Sequence, residues 1–143
     1  MSQDHASEMT NSGAMTRTAP PLWVWWIALV WIISFPWTGF TRVPQWKRVH
    51  YLPLSDPADK LRDIGSNVLL FVPFGYSIAR PRRVLGGLLI AAGAAVVVSM
   101  SAEATQLFST RRYPSATDVA SAVIGSSIGA AFAKVFWRRP QTL

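Results

Sequence analysis

The feature that most constrains this chain is a series of four uncharged, largely apolar stretches separated by short charged segments. They cover residues 22–41, 64–79, 84–102 and 119–133. Only 15% of the 143 residues are charged, against about 25% in an average soluble domain, so a single soluble core would leave much apolar surface exposed. A helix crosses a hydrocarbon core of ~30 Å with about 20 residues. We therefore predict an all-α integral membrane bundle of four transmembrane helices.

Three of these stretches admit a second interpretation. The first carries Trp23 and Trp37 near its two ends, as interfacial anchors would, but a signal peptide is the alternative. A signal peptide has a shorter apolar region of about 7–15 residues and a small-residue cleavage site, and neither feature is present here. The second stretch contains Pro73, and the fourth needs Lys134 to extend towards the interface. Re-entrant or interfacial helices are the alternatives for these two.

The charges indicate a membrane protein and a direction of insertion. A net charge of +7 is compatible with nucleic-acid binding, but the charges lie in clusters between long uncharged stretches, so we expect the lipid bilayer as partner and no nucleic acid. Residues 80–83 (RPRR) form a basic connection without an acidic residue, and Arg138 and Arg139 follow the last stretch. Cytoplasmic segments are rich in such cations, so we predict that both termini are cytoplasmic.

Polar residues cluster at one end of the predicted bundle. Asp59, Asp63 and Asn67 are spaced for one helix face leading into the second stretch. Antiparallel spans would bring the start of the second stretch, the end of the third and the start of the fourth to one membrane face. Each residue alone could merely end a helix or complement its dipole, but ionisable residues at membrane depth usually face the bundle interior and pair. The predicted cluster comprises Asp63, Asn67, Glu103, Gln106, Arg111, Arg112, Ser115 and Asp118.

Several chemistries lack the residues they need. The chain has no cysteine, so disulfides, thiolate nucleophiles and Cys-ligated metals are excluded. His5 lies in the polar N-terminal region and His50 stands alone in a connection, so a histidine–metal site or a histidine base is not expected. Carboxylates and amides could hold Mg²⁺ or Ca²⁺, but their spacing is not diagnostic. We predict no metal and no cofactor.

The fourth stretch carries a motif for close helix packing. Gly125 and Gly129 form a G-x-x-x-G pattern, which lets two backbones approach closely in lipid. The pattern serves either oligomerisation or packing within the chain, and we favour packing within the chain because the segment is rich in small residues.

Two sequence blocks resemble the VanZ-like family of small bacterial membrane proteins. The first is D-IGS-N-VLL-F-V-P-F-G from Asp63 to Gly75, and the second runs from Glu103 through Arg112 and Asp118 to Gly129. The resemblance implies a multi-span inner-membrane protein associated with resistance to glycopeptides of the teicoplanin type. It places a VanZ-like domain at 22–137, between a polar tail at 1–21 that we expect to be disordered and a short basic tail at 138–143. In one departure, Ala122 stands where the family pattern commonly has Asn.

Three roles for the polar cluster follow from the residue types. It could bind an anionic lipid-linked cell-wall precursor or a lipophilic glycopeptide, with Arg112 and Arg111 gripping the acidic group and Asn67, Gln106 and Ser115 orienting it. It could instead belong to a membrane-embedded hydrolase or transferase, with Glu103, Asp118 and Asp63 as acid–base groups. The third role is structural, in which Arg112 pairs with Glu103 and the cluster joins three helices.

Overall fold

The described part of the chain forms four α-helices. The computed structural model describes residues 20–54, 61–80 and 84–137, and these contain no β-strand. The helices are α1 (Leu22–Ser34), α2 (Leu61–Ala79), α3 (Val84–Gln106) and α4 (Ala116–Trp137). The predicted all-α class is confirmed. The sequence predictions for residues 1–19, Asp59, residues 81–83 and 138–143 concern positions outside the described residues.

Among the described helices, two are long and apolar enough to cross a membrane, as judged by length and composition. These are α3, whose 23 residues extend to Gln106, and the segment Ala116–Phe136 of α4. Both extend beyond the stretches predicted from the sequence, because polar residues continue each helix at the end where the polar cluster was expected. Membrane association is thus supported by two helices, whereas four spans remain a proposal.

The first predicted span is wrong in its length. The stretch 22–41 is helical only over Leu22–Ser34, 13 residues, which is about 20 Å at the α-helical rise. Phe35 leaves the helix with an extended backbone (φ −64°, ψ 133°) and precedes Pro36. The residue before a proline is sterically disfavoured in the helical region, which explains why the apolar stretch continues while the helix does not.

Helix α2 is longer than predicted and less apolar than a typical span. It begins at Leu61 instead of 64, and its first turn carries Arg62 and Asp63, with Asn67 one turn later. Pro73 lies inside the helix without ending it. The first half of α2 is polar, which lowers the hydropathy of the helix. This half lies beside α3 and α4 at the polar end of the bundle.

The packing of α2 against α4 is the closest in the molecule. A Cβ atom on Gly125 would collide with the Val68 carbonyl, and one on Gly129 would collide with the Val72 carbonyl. From the other side, Gly75 faces the backbone of Ser126 in the same way. The prediction that G-x-x-x-G packs within the chain is therefore confirmed. Helix α3 packs on both α2 and α4, and α1 packs on α2 and α3.

At the end of the bundle opposite the polar cluster, Lys134 of α4 binds the end of α2. Its Nζ atom donates a 2.5 Å hydrogen bond to the carbonyl of Ala79, the last residue of α2. A cation is favourable at a helix C-terminus, where carbonyl groups lack partners within the helix. The sequence predicted that Lys134 extends towards the membrane interface. In the structure its side chain binds the end of α2.

The two long connections pair with each other at the polar end. The N–H of Thr41 donates to Phe108 O at 2.7 Å, and that of Thr110 donates to Gly39 O at 2.8 Å. Further along, His50 donates to Pro114 O at 3.0 Å and accepts from the N–H of Ala116 at 2.9 Å. The connection between α1 and α2 is therefore held against the connection between α3 and α4.

Candidate functional site

A cavity of about 530 Å³ lies at the polar end of the bundle. Its lining comes from the end of α1, the start of α2, the end of α3, the start of α4 and the paired connections. Seven of the eight residues predicted for the polar cluster line it, namely Asp63, Asn67, Glu103, Gln106, Arg112, Ser115 and Asp118. The convergence predicted from helix ends is thus present in the structure.

Glu103 is the polar residue that joins the parts of this site. Its Oε1 accepts a 3.2 Å hydrogen bond from Nε2 of Gln106, one turn further along α3. Its Oε2 accepts the backbone N–H of Ser115 at 2.9 Å. Each carboxyl oxygen can accept two hydrogen bonds, so the group retains capacity for a ligand.

Ser115 holds the start of α4 beside Glu103. It precedes the first residue of α4, and its hydroxyl oxygen accepts the N–H of Thr117 at 3.1 Å. A serine in this position satisfies one of the N–H groups that a helix start leaves without partners. Asp118 follows in the first turn, where it interacts electrostatically with Glu103.

Arg112 and Arg111 point to different places, although they are neighbours in the sequence. Ser109 is fully buried, and its hydroxyl oxygen accepts the N–H groups of both arginines at 3.1 Å. Arg112 lines the cavity, whereas the side chain of Arg111 lies beside Gly39, and Arg111 is absent from the lining. The predicted role of Arg111 in gripping an acidic group in this cavity therefore has no support in the geometry.

The expected pairing of Arg112 with Glu103 is an electrostatic interaction in one cavity. Glu103 interacts electrostatically with Arg112, but its hydrogen-bond partners are Gln106, Ser115 and Asp118. In the ranges that the structure describes, the Arg112 guanidinium makes no hydrogen bond or ion pair. The same holds for the side-chain amide of Asn67.

Sequence reasoning missed His50, which also lines the cavity. Its ring meets the ring of Tyr113 edge to face, with 6.3 Å between centroids, and Tyr113 is a further lining residue. The Arg48 guanidinium lies 4.1 Å from the centre of the Tyr113 ring and donates to Thr110 O at 3.0 Å. The interpretation of His50 as isolated is corrected, because pairing between distant connections brings it to the site.

The other missed contribution is the apolar wall. Val30 and Ile33 from α1, with Leu70 and Phe71 from α2, also line the cavity. The sequence placed the site among the second, third and fourth helices alone. The cavity therefore combines polar lining residues with an apolar wall formed by these four side chains, which suits an amphiphilic molecule.

Comparison with known proteins adds the family. The family model described as VanZ/LLP1 matches residues 22–137. The chain belongs to the VanZ/LLP1 family. The resemblance seen in the two sequence blocks is thereby confirmed. No curated protein and no solved structure matches the chain.

The departure of this VanZ/LLP1 member from the pattern lies next to the site. Ala122, one turn after Asp118, is fully buried and belongs to the apolar core. Among the described residues, no group of three or more His, Asp or Glu side chains is arranged so that it could hold a metal ion.

Proposed function

We propose that this VanZ/LLP1 protein is a multi-pass protein of the bacterial inner membrane that binds a lipid-linked envelope component. The headgroup would occupy the polar end of the cavity and the hydrocarbon chain would lie along its apolar wall. The observation that carries the proposal is this combination, in one cavity, of Arg112 and Asn67 with Val30 and Phe71.

The outer surface of the bundle supports insertion by more helices than the two long ones. Large apolar side chains are exposed on every helix, with examples at Ile32 (58% exposed), Leu69 (72%), Val97 (68%) and Val135 (68%). We expect an exterior with this many exposed apolar side chains to be covered by lipid or by another protein. We propose four membrane-embedded helices, of which α1 enters the bilayer without reaching across it, and both termini on the cytoplasmic side. The cavity then faces outwards.

The unused hydrogen-bonding capacity favours binding over a purely structural role. A structural polar cluster satisfies its own donors and acceptors, because unpaired polar groups are costly in an apolar setting. Within the described residues, Arg112 and Asn67 keep side-chain donors that no protein group accepts. These donors can therefore be offered to a ligand.

Arg112 is the group that would hold the acidic part of the ligand. A guanidinium binds a phosphate or carboxylate through two parallel hydrogen bonds, which a lysine ammonium cannot reproduce. A lipid-linked cell-wall precursor has such a group beside a long chain. A lipophilic glycopeptide of the teicoplanin type is the second ligand of this description, and the family resemblance suggests it.

A membrane-embedded hydrolase or transferase is the second candidate function. The observation that favours it is the interaction of the Glu103 and Asp118 carboxyl groups in the cavity that also holds His50. Two carboxyl groups in different surroundings can act as acid and base on one bound substrate.

The test compares two neighbouring arginines. Arg112→Lys and Arg111→Lys keep the same charge, but only the first alters a residue of the cavity. We expect Arg112→Lys to lose envelope lipid that copurifies with the full-length protein, and to lose any protection against a teicoplanin-type glycopeptide. Arg111→Lys should retain both, and both variants should keep wild-type membrane abundance and thermal stability.

Three other results would contradict the binding proposal or favour a structural or an enzymatic role. If Arg112→Lys retains lipid and protection as Arg111→Lys does, the binding proposal is wrong. If losses follow protein abundance in both variants, the cluster is structural. If lipid copurifies and is converted to a product that disappears in Glu103→Gln and Asp118→Asn, the protein is the enzyme of the second candidate.

A further inference from the structure

The polar lining of the cavity is unbalanced between acceptors and cations. Three carboxyl groups line it, those of Asp63, Glu103 and Asp118, with two amides from Asn67 and Gln106. Arg112 is the one Lys or Arg side chain among the described lining residues. The neighbouring cation Arg111, which would have made the site more positive, lies outside the lining beside Gly39.

This balance disfavours a ligand that is only an anion. A phosphate monoester carries up to two negative charges, which one guanidinium offsets only in part. A phosphodiester carries a single charge and can be matched by Arg112 alone. The carboxyl and amide oxygens of the lining can in addition accept hydrogen bonds that a ligand donates.

The aromatic side chains of the lining further limit which hydrogen-bond-donating groups a ligand can carry. Tyr113 and Phe71 line the same cavity, so a ligand there meets apolar ring surface as well as oxygens. Hydroxyl groups on a carbon ring or chain satisfy both surfaces, because they donate to carboxyl and amide oxygens while their C–H groups pack on aromatic rings. The volume of about 530 Å³ lies within the range of ~300–1,000 Å³ typical of small-molecule sites, which is enough for such a headgroup with the start of a chain.

We infer that the ligand is a phosphodiester-linked lipid whose headgroup is a sugar or another polyol. The inference rests on the proposed function and specifies its substrate class. Arg112 holds the phosphodiester, Glu103 and Asn67 receive and orient hydroxyl groups, and Val30 and Phe71 contact the start of the hydrocarbon chain.

The experiment uses the full-length protein in detergent and four lipids with identical acyl chains. Phosphatidylinositol and phosphatidylglycerol carry hydroxyl groups on a phosphodiester, phosphatidylethanolamine carries an ammonium, and phosphatidic acid carries the phosphate alone. Native mass spectrometry measures the bound fraction of each lipid in pairwise competition. We expect phosphatidylinositol and phosphatidylglycerol to exceed phosphatidic acid by about tenfold, the effect of one or two hydrogen bonds.

Variants separate the two parts of the headgroup. Asn67→Ala should lower the preference for the polyol lipids over phosphatidic acid, whereas Gln45→Ala, an amide outside the cavity lining, should leave it unchanged. Arg112→Gln should weaken all the phosphate lipids and leave the preference among them largely intact. Thermal unfolding of each variant shows whether it is folded.

The experiment distinguishes a wrong headgroup class from the absence of a lipid site. If phosphatidic acid or phosphatidylethanolamine binds as well as the polyol lipids, the inference is wrong and the proposed lipid site stands. If none of the four lipids binds better to the wild type than to Arg112→Gln, with both proteins folded, the inference and the lipid site are both wrong.

Discussion

The backbone N–H of Ser115 donates a 2.9 Å hydrogen bond to Oε2 of Glu103, across twelve residues of chain. This bond joins the end of α3 to the residue that precedes α4, and it orients the carboxyl group in the cavity. Glu103 is therefore a structural acceptor as well as a candidate ligand-binding group, and its two contributions can be separated by substitution.

Glu103→Leu should lower the free energy of unfolding by about 2–3 kcal/mol, because it leaves the half-buried N–H of Ser115 without an acceptor. Glu103→Gln should cost less than about 1 kcal/mol, since its amide oxygen can still accept that bond. Reversible unfolding in detergent, followed by tryptophan fluorescence, measures both values. Equal losses in the two variants would show that the Ser115 bond does not stabilise the fold.

Gly129→Ala should destabilise the protein by at least about 1–3 kcal/mol, because its Cβ would overlap the Val72 carbonyl of α2. The matched control is Gly93→Ala in α3, where an added Cβ meets nothing within 4 Å. Alanine favours helix over glycine by up to about 1 kcal/mol, so this control should be neutral or stabilising. Melting temperatures of the two purified variants test the difference, and a Gly129→Ala protein as stable as Gly93→Ala would exclude the close packing of α2 and α4.

Arg48→Met should loosen the paired connections at the polar end. It removes the cation from the Tyr113 ring and the hydrogen bond to Thr110 O, contacts worth about 1–2 kcal/mol together. Hydrogen exchange of residues 39–50 should become faster, and lipid binding should weaken because His50 and Tyr113 line the cavity. Lys47→Met, a change at the exposed neighbouring cation, should alter neither measurement. Equal exchange rates in both variants would contradict a role for Arg48.

Ala122→Asn introduces the amide that is common in the family pattern. Because Ala122 is fully buried in the apolar core, the amide should cost about 1–3 kcal/mol of unfolding free energy where no partner meets it. Thermal unfolding together with lipid copurification measures the result. A variant that is as stable as the wild type and binds more lipid would instead show that the amide reaches the cavity and takes part in binding.

The sequence predicted the convergence of the polar residues better than it predicted the lengths of the helices. Seven of the proposed cluster residues line one cavity, because the order of helices in a bundle and the spacing of polar residues are both visible in the sequence. The end of α1 was not recognised, although Pro36 marks it, because the apolar pattern continued through the proline. Hydropathy alone describes which residues avoid water and does not describe backbone conformation.

Contacts between distant connections account for the remaining differences. His50 reaches the cavity through backbone hydrogen bonds with Pro114 and Ala116, and no spacing rule relates those positions. The opposite directions of Arg111 and Arg112 depend on a turn around the buried Ser109 hydroxyl. Both features arise from pairing of irregular segments, for which the sequence carries no periodic signal.

The glycine contacts between α2 and α4 have a consequence for how a lipid reaches the cavity. The backbones of α2 and α4 are in direct contact, as at Gly129 and Val72. Side-chain rotation cannot separate two helices at such a contact, so α2 and α4 stay together on the timescale of side-chain motion. Helix α1 packs on α2 and α3 through side chains, among them Val30, and we expect side-chain rotation to widen this contact more readily. A lipid diffusing in the plane of the membrane would therefore approach from the side of α1, so a bulky label on α1 should slow its exchange while the same label on α4 should not.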